Sequence, residues 1–210
     1  MQNQTRIAVC FATSQFSSSR NGTDYLFDVR KTTPRLHKSP LYHFFVFWNQ
    51  VNLKAPGWEV VAKDLRGYKR WTTQCQWVKF LAFRHPKIRK NCEVVFFIDD
   101  NLSPKDDPEL FQADSRRILN SPTQLAERSN PNWGWVEEEF ERILSNKKDV
   151  EKNVHSSLQW LEAQQDYDKN CRLYETSMFG YKVDSIAFKK AADLFWHRYS
   201  KEEDSWTGKN

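Results

Sequence analysis

The sequence has little glycine and no long apolar run. Only 6 of its 210 residues are glycine, 2 are methionine and 4 are cysteine. No stretch approaches the roughly 18 consecutive apolar residues that a membrane-spanning helix needs, so we expect no membrane span. The first ten residues contain one basic residue and no extended apolar region, so we expect no secretory signal. These absences lead us to expect a cytoplasmic protein.

The motifs of several common enzyme classes are also missing. The chain has no G-x-G-x-x-G, no Walker lysine, no G-x-S-x-G and no H-E-x-x-H, so dinucleotide-dependent oxidoreductases, P-loop NTPases and hydrolases lose support. Its cysteines form no C-x-x-C and no Cys/His pair at zinc-ligand spacing. We interpret them as reduced thiols in or near the core, with a disulfide as the alternative. They are Cys10, Cys75, Cys92 and Cys171.

The residues that are present favour a folded, aromatic-rich domain. Aromatic residues make up 15% of the chain, which excludes a disordered protein, and 210 residues suit one domain. Lys and Arg number 32 against 27 Asp and Glu, a mild excess that is compatible with a phosphate-bearing ligand. A nucleic-acid binder interleaves its aromatic residues with Lys and Arg. Here the aromatic residues lie in apolar runs, so we expect no nucleic-acid partner.

The hydrophobic pattern predicts an α/β fold. Short continuous apolar runs predict buried strands at residues 6–12, 42–48, 58–62 and 93–98. Helical spacing predicts a crossover helix, ended by Pro86, and three later helices, at 68–84, 131–144, 150–165 and 185–199. Residues 171–181 predict one more strand, which breaks at Gly180. Because the apolar strands need cover on both faces, we predict a mixed, mostly parallel central sheet flanked by helices, with a Rossmann-like nucleotide-binding half.

One strand ends in a cluster of oxygen-bearing side chains. The apolar run of residues 94–98 is followed at once by Asp99, Asp100 and Asn101. In open α/β sheets, ligands bind outside the carboxyl ends of the strands. Alternation places Asp99 and Asn101 on one face, and such oxygen ligands hold Mg²⁺ or Mn²⁺ against a diphosphate. The alternative is that the carboxylates cap the turn that follows. This segment alone does not decide between the two.

The order of several motifs along residues 70–210 resembles a known family. The motifs are WVKFLAFRHP, VVFFIDDNLS, SPTQLAERSNP, a Glu-rich helix, LYETSMFGYKVDS and FWHRY. In this order they resemble a glycosyltransferase-like family of plants, bacteria and large viruses with the GT-A fold, and small GT-A domains of large algal viruses are a second likeness. The sequence departs from that family at Asn101, a weaker metal ligand than a carboxylate. It also departs at residues 208–210, which replace an R-D-Q motif and lead us to expect a longer native protein.

The resemblance implies the transfer of a sugar from a nucleoside-diphosphate sugar. A UDP-sugar is the expected donor, a glycan hydroxyl the acceptor, and Mn²⁺ or Mg²⁺ the cofactor. It also implies one GT-A-like domain over 1–210, in which residues 1–101 bind the donor and residues 102–210 form the acceptor side. Two alternatives of other classes are a non-catalytic carbohydrate- or nucleotide-binding module and a basic nucleic-acid-binding domain.

The resemblance further assigns candidate donor-binding residues. The nucleobase would lie near the end of the first strand, with an aromatic side chain of the next loop stacked on it. Cationic side chains would neutralise the diphosphate. For the lysine among them, the alternative is a solvated position on an amphipathic helix. The candidates are Ala12, Thr13, Ser14, Tyr25, Arg70, Lys79, Asp99 and Asp100.

Metal ligands and catalytic carboxylates complete the predicted site. The metal ligands would be Asp99, Asn101 and His197, and for His197 the alternative is a packing or capping role. A base is needed to deprotonate the acceptor hydroxyl in an inverting transfer. The best candidates for it are Glu175 and Asp204.

Overall fold

The computed structural model describes most of the chain. The described residues are 4–13, 28–48, 55–62, 71–99, 102–129, 134–147, 149–165, 167–169, 172 and 174–201. The chain divides into two compact units, of which one comprises Met1–Ala126 with Ser177–Ser200 and the other Glu127–Thr176 with Lys201–Asn210. The assignment of a donor half and an acceptor half divided at residue 101 stays a prediction. None of the helices described is long and apolar enough to cross a bilayer.

The described elements are strands and helices, mixed along the chain. The strands are β1 (Ile7–Thr13), β2 (Tyr42–Trp48), β3 (Glu59–Ala62), β4 (Val94–Ile98), β5 (Leu125–Ser129) and β6 (Tyr174–Lys182). The helices are α1 (Val29–Thr32), α2 (Pro34–His37), α3 (Trp71–Leu81), α4 (Pro86–Asn91), α5 (Pro108–Asn120), α6 (Val136–Ser145), α7 (Glu151–Glu162) and α8 (Ile186–Lys201). A 3₁₀ turn, Ala82–Arg84, joins α3 to α4.

The strands form one mixed sheet in the order β3-β2-β1-β4-β6-β5. Strands β3, β2, β1 and β4 are parallel to one another, and β6 pairs antiparallel with β4. This arrangement confirms the predicted mixed, mostly parallel sheet flanked by helices.

Alternate residues along the strands belong to two different hydrophobic cores. In β1, Ala8 and Cys10 belong to one core, whereas Ile7, Val9 and Phe11 belong to the other. Residues of α3, α4 and α8 complete the first core, and residues of α1, α2 and α5 complete the second. The continuous apolar strands of the sequence therefore have the cover on both faces that their composition requires.

The direction of the chain connections reverses between β1 and β4. From β1 the chain continues through α1 and α2 to β2, and β3 follows on the same side of β1. From β3 it returns through α3 and α4 to β4, on the opposite side of β1. This reversal is a topological switch point, and in open α/β sheets ligands bind outside the carboxyl ends of the strands at such a point.

The predicted strand break at Gly180 is wrong, because β6 runs through this residue. Gly180 lies opposite Phe96 of β4 in the antiparallel register. A Cβ atom there would lie 2.7 Å from Cε1 of Phe96 and 2.8 Å from Cδ1 of Ile118. The glycine therefore makes room for two core side chains and does not interrupt the strand.

The helix boundaries show what the sequence pattern detects and what it misses. The Ser185 cap is confirmed, since its Oγ accepts a hydrogen bond of 3.2 Å from the N–H of Phe188 in the first turn of α8. The crossover helix ends at Leu81, before the predicted end at Arg84. Helix α5 and strand β5 were not predicted. Cys10, Cys75 and Cys92 are reduced thiols, as predicted, and Cys171 lies outside the described residues.

Candidate functional site

The candidate site lies where β1 and β4 end side by side. In their parallel register Phe11 pairs with Ile98, so the next residues, Ala12 and Asp99, lie at the same edge of the sheet. Thr13 is the last residue of β1. Of the residues predicted to bind a donor, the structure therefore brings Ala12, Thr13 and Asp99 to the carboxyl edge at the switch point.

The backbone of Asp99 is fixed on both sides. Its N–H donates a hydrogen bond of 2.7 Å to the carbonyl of Ser177 in β6. Its own carbonyl accepts a hydrogen bond of 3.0 Å from the N–H of Leu102. These two hydrogen bonds involve the backbone alone, and the candidate chemistry of the site rests on the Asp99 side chain.

The side chain of Asp99 forms an ion pair with Lys79 of α3. The Lys79 Nζ lies 3.3 Å from Oδ1 of Asp99. The lysine side chain is only 8% exposed, whereas that of Asp99 is 36% exposed. The same Nζ lies 5.1 Å from the centre of the Phe97 ring. This burial excludes the solvated alternative for Lys79.

Local packing explains why a lysine is buried here. Trp77, Val78 and Leu81 of α3 lie in the first core. Lys79, in the last turn of the same helix, passes Phe97 before its ammonium reaches the carboxylate. A long aliphatic stem can cover apolar surface in this way while the charged end reaches a polar group. The carboxylate compensates part of the cost of taking the ammonium out of water.

Phe97 and Ser177 are site residues that the sequence analysis missed. Phe97 precedes Asp99 by two positions and therefore shares its face of β4, the face that α3 covers. This alternation was readable in the sequence and would have linked Asp99 to the helix that carries Lys79. The contact with Ser177 depends on the pairing of β4 with β6, which no local pattern indicates.

The pair offers two kinds of hydrogen-bonding group side by side. The ammonium of Lys79 donates, which suits the oxygens of a phosphate. The partly exposed carboxylate of Asp99 accepts, which suits a sugar hydroxyl. A ligand that carries phosphates next to hydroxyl groups, such as a nucleotide, fits this combination.

The described residues do not fit a divalent cation at Asp99. Mg²⁺ and Mn²⁺ are held through carboxylates, yet Oδ1 of Asp99 already contacts a buried ammonium, which would repel a second cation. No cluster of three or more His, Cys, Asp or Glu side chains suited to a metal occurs in the parts of the chain that the structure describes. His197 is exposed on α8.

The remaining assignments stay predictions. The side chains of Thr13 in β1 and Glu175 in β6 are outside the description, although both backbones are placed. Six further candidates lie wholly outside the described residues: Ser14, Tyr25, Arg70, Asp100, Asn101 and Asp204.

Three solved structures are similar to this chain at low sequence identity. They are core-mannan synthase A of Aspergillus fumigatus in its Mn/GDP form (10% identity, TM-score 0.47), the WbbM bifunctional glycosyltransferase in its apo form (11%, 0.46) and the galactosyltransferase LgtC with donor and acceptor sugar analogues (12%, 0.42). Their alignments cover 93%, 94% and 94% of this chain, which spans 65%, 35% and 64% of theirs.

All three of these structures are glycosyltransferases. No protein-family model and no curated protein matches the sequence.

Proposed function

We propose that this chain is a glycosyltransferase that takes its sugar from a nucleoside-diphosphate sugar, with a UDP-sugar as the first candidate, and passes it to a glycan hydroxyl. The observation that carries the proposal is the ion pair of Lys79 with Asp99 at the switch point between β1 and β4. It supports a ligand with phosphates and hydroxyl groups at the carboxyl edge, as α/β sheets of this topology bind them. The motif order of the sequence supports the choice of glycosyl transfer.

Lys79 and Asp99 have separate roles in this proposal. The ammonium of Lys79 binds the diphosphate, and the carboxylate of Asp99 accepts a hydrogen bond from a ribose hydroxyl. Ala12 and Thr13, at the end of β1, lie beside the nucleobase. Four residues outside the described part complete the donor site as the sequence resemblance implies, namely Ser14, Tyr25, Arg70 and Asp100.

The proposed reaction is the displacement of the diphosphate by the acceptor hydroxyl. The acceptor oxygen forms a bond to the anomeric carbon of the donor while the bond from that carbon to the diphosphate oxygen breaks. The electron pair leaves on the diphosphate, and the positive charge of Lys79 stabilises the charge that develops there. The proton of the acceptor hydroxyl passes to a carboxylate, for which Glu175 and Asp204 remain the candidates. The divalent cation expected from the resemblance is not part of this proposal, because Lys79 already binds the carboxylate that would hold it.

A ligand panel tests the donor class. We expect UDP, GDP or one of their sugar conjugates to raise the melting temperature of the chain, because a ligand at a hundred times its dissociation constant stabilises by about 2.7 kcal/mol. No shift with any nucleoside diphosphate or nucleotide sugar would contradict the proposal. A shift without release of free diphosphate in the presence of any glycan acceptor would instead support the alternative of a nucleotide-binding module.

A substitution tests the site. In Asp99→Ala the ribose hydroxyl loses its acceptor and the Lys79 ammonium loses the group that orients it, so we expect turnover to fall by about a hundredfold or more. Asp193→Ala is the matched control, because Asp193 also forms an ion pair, with Arg84, but lies exposed on α8. Unchanged turnover in a folded Asp99→Ala variant would remove Asp99 from the site.

A further inference from the structure

The carboxylate best placed for a metal ion is already bound to a cation of the chain itself. Lys79 Nζ lies 3.3 Å from Oδ1 of Asp99, and its side chain is only 8% exposed. Its ammonium lies 5.1 Å from the centre of the Phe97 ring, on the core side of the sheet edge. The positive charge is therefore built into the core packing of α3 against β4.

A divalent cation and this ammonium would compete for one carboxylate. Both would lie within a few ångströms of Oδ1, and water screens their mutual repulsion only in part, because the lysine side chain is 8% exposed and the aspartate side chain 36% exposed. Asn101, the third residue of the Asp99-Asp100-Asn101 motif, carries a neutral amide, which is a weaker ligand than a carboxylate. Charge and ligand type therefore both disfavour a metal at this position.

We propose that the donor site neutralises the diphosphate with Lys79 and needs no divalent metal. This inference rests on the proposed function and deepens it. The ammonium binds the phosphate oxygens and stabilises the charge that the leaving diphosphate acquires. Asp99 holds the ammonium at the edge of the sheet, in the place where a metal-dependent enzyme would hold its cation.

The first test compares nucleotide binding with and without metal. UDP and GDP are each titrated calorimetrically into the wild-type chain, once in EDTA and once in MnCl₂. We expect one of them to bind in EDTA with a dissociation constant that Mn²⁺ does not lower. Binding that requires Mn²⁺ would overturn this inference and leave the proposed function standing. No binding of either nucleotide under either condition would overturn both.

The second test removes the lysine. We expect Lys79→Met to weaken nucleotide binding in EDTA by about tenfold or more, since a charge-assisted hydrogen bond is lost, and Lys79→Arg to bind more tightly than Lys79→Met. Lys189→Met is the matched control, because Lys189 Nζ also lies over an aromatic ring, 5.7 Å from the centre of Phe83. Equal losses in Lys79→Met and Lys189→Met, or no loss in either, would overturn the assignment of Lys79.

A third measurement separates a charge role from a merely structural one. In Lys79→Met the Asp99 carboxylate no longer contacts the Lys79 ammonium, so we expect this variant to bind Mn²⁺ more tightly than the wild type, in which the ammonium repels the ion. Electron paramagnetic resonance of free Mn²⁺, titrated with protein in the absence of nucleotide, measures both affinities. The double variant Lys79→Met, Asp99→Asn should lose this gain. A wild type that binds Mn²⁺ as tightly as Lys79→Met would overturn the inference, and this comparison needs no enzymatic activity.

Discussion

Gly180 and Phe96 face each other across β6 and β4, and the absence of a side chain on one makes room for the ring of the other. The ring of Phe96 in turn packs edge-on against Phe111 of α5, at 5.1 Å between ring centres. The absence of a Cβ atom at Gly180 thus leaves room for the Phe96 ring, against which α5 packs on this face of the sheet.

We expect Gly180→Ala to destabilise the chain by about 1–3 kcal/mol, the usual cost of overpacking a core. The added methyl group would meet Phe96 at 2.7 Å and Ile118 at 2.8 Å. The control is Gly134→Ala, because a Cβ there would lie 3.5 Å from the nearest atom, an ordinary contact. Urea unfolding of both variants measures the effect. Equal stability of Gly180→Ala and Gly134→Ala would show that the β4–α5 packing yields more readily than the structure indicates.

The sequence predicts both charged residues of the site, Lys79 and Asp99, but not the contact between them. Asp99 can be identified as a site candidate because it directly follows an apolar run. Lys79 can be identified because it lies on a helix that precedes that run. Their ion pair depends on how α3 lies on the sheet, and this is set by Trp77, Val78 and Leu81 together with side chains of β1, β2, β4 and β6. No local sequence pattern indicates such a contact between a helix and a strand.

At the scale of elements, α5 shows a start signal that the apolar pattern did not reveal. Asp107 caps the helix, with Oδ1 accepting hydrogen bonds of 3.1 Å from the N–H groups of Glu109 and Leu110. Pro108 occupies the first helical position, where its missing N–H costs nothing. Aspartate followed by proline is a recognised start signal, and it was present in the sequence. Its apolar residues Leu110, Phe111, Ile118 and Leu119 also fall at helical spacing, so the helix could have been predicted from the sequence.

We expect Asp107→Ala to lower the free energy of unfolding by about 1 kcal/mol, because two N–H groups of the first turn lose their acceptor. Asp107→Asn keeps a side-chain oxygen and should remain close to the wild type. Chemical denaturation of the two variants side by side measures the difference. If Asp107→Asn is as unstable as Asp107→Ala, the negative charge at the helix terminus matters more than the hydrogen bonds.

At the scale of the whole molecule, the sheet with covered faces was predictable, because continuous apolar strands allow few other arrangements. The bounds of β2 agree residue by residue with the predicted run of 42–48. Strand β5 was not predictable in this way, since its sequence LAERS is too polar for the pattern of a buried strand. The switch point between β1 and β4 needed the strand order, which only the assembled sheet provides.

The buried thiols and a buried phenol make the stability of the whole fold sensitive to alkaline pH. Burial raises the pKa of Cys92 to about 12 and that of Cys10 well above its usual value. Burial likewise raises the pKa of Tyr181 well above 10.0. These groups keep their protons in the folded chain at a pH where the unfolded chain loses them. Stability is therefore fully present below the unfolded values and falls as the pH rises above about 9.

We expect the free energy of unfolding to decline between pH 9 and pH 11, with each such group contributing roughly 1.4 kcal/mol per pH unit above its unfolded pKa. Cys92→Ala should reduce that slope. The comparison variant is Cys75→Ala, which removes a half-buried thiol of the same unit. Urea titrations at several pH values in reducing buffer measure both slopes. A Cys92→Ala slope as steep as that of Cys75→Ala would contradict the assignment of the effect to Cys92.

A crystal structure of the chain with UDP or GDP, whichever binds in EDTA, shows whether a nucleoside diphosphate binds at the carboxyl edge of β1 and β4. We expect diphosphate oxygens within hydrogen-bonding distance of the Lys79 ammonium, a ribose hydroxyl on the Asp99 carboxylate and no metal ion between them. A nucleotide bound elsewhere on the molecule would contradict the proposed site. A diphosphate at this edge that is held through a metal ion on Asp99, with Lys79 displaced, would keep the site and contradict the role of the lysine.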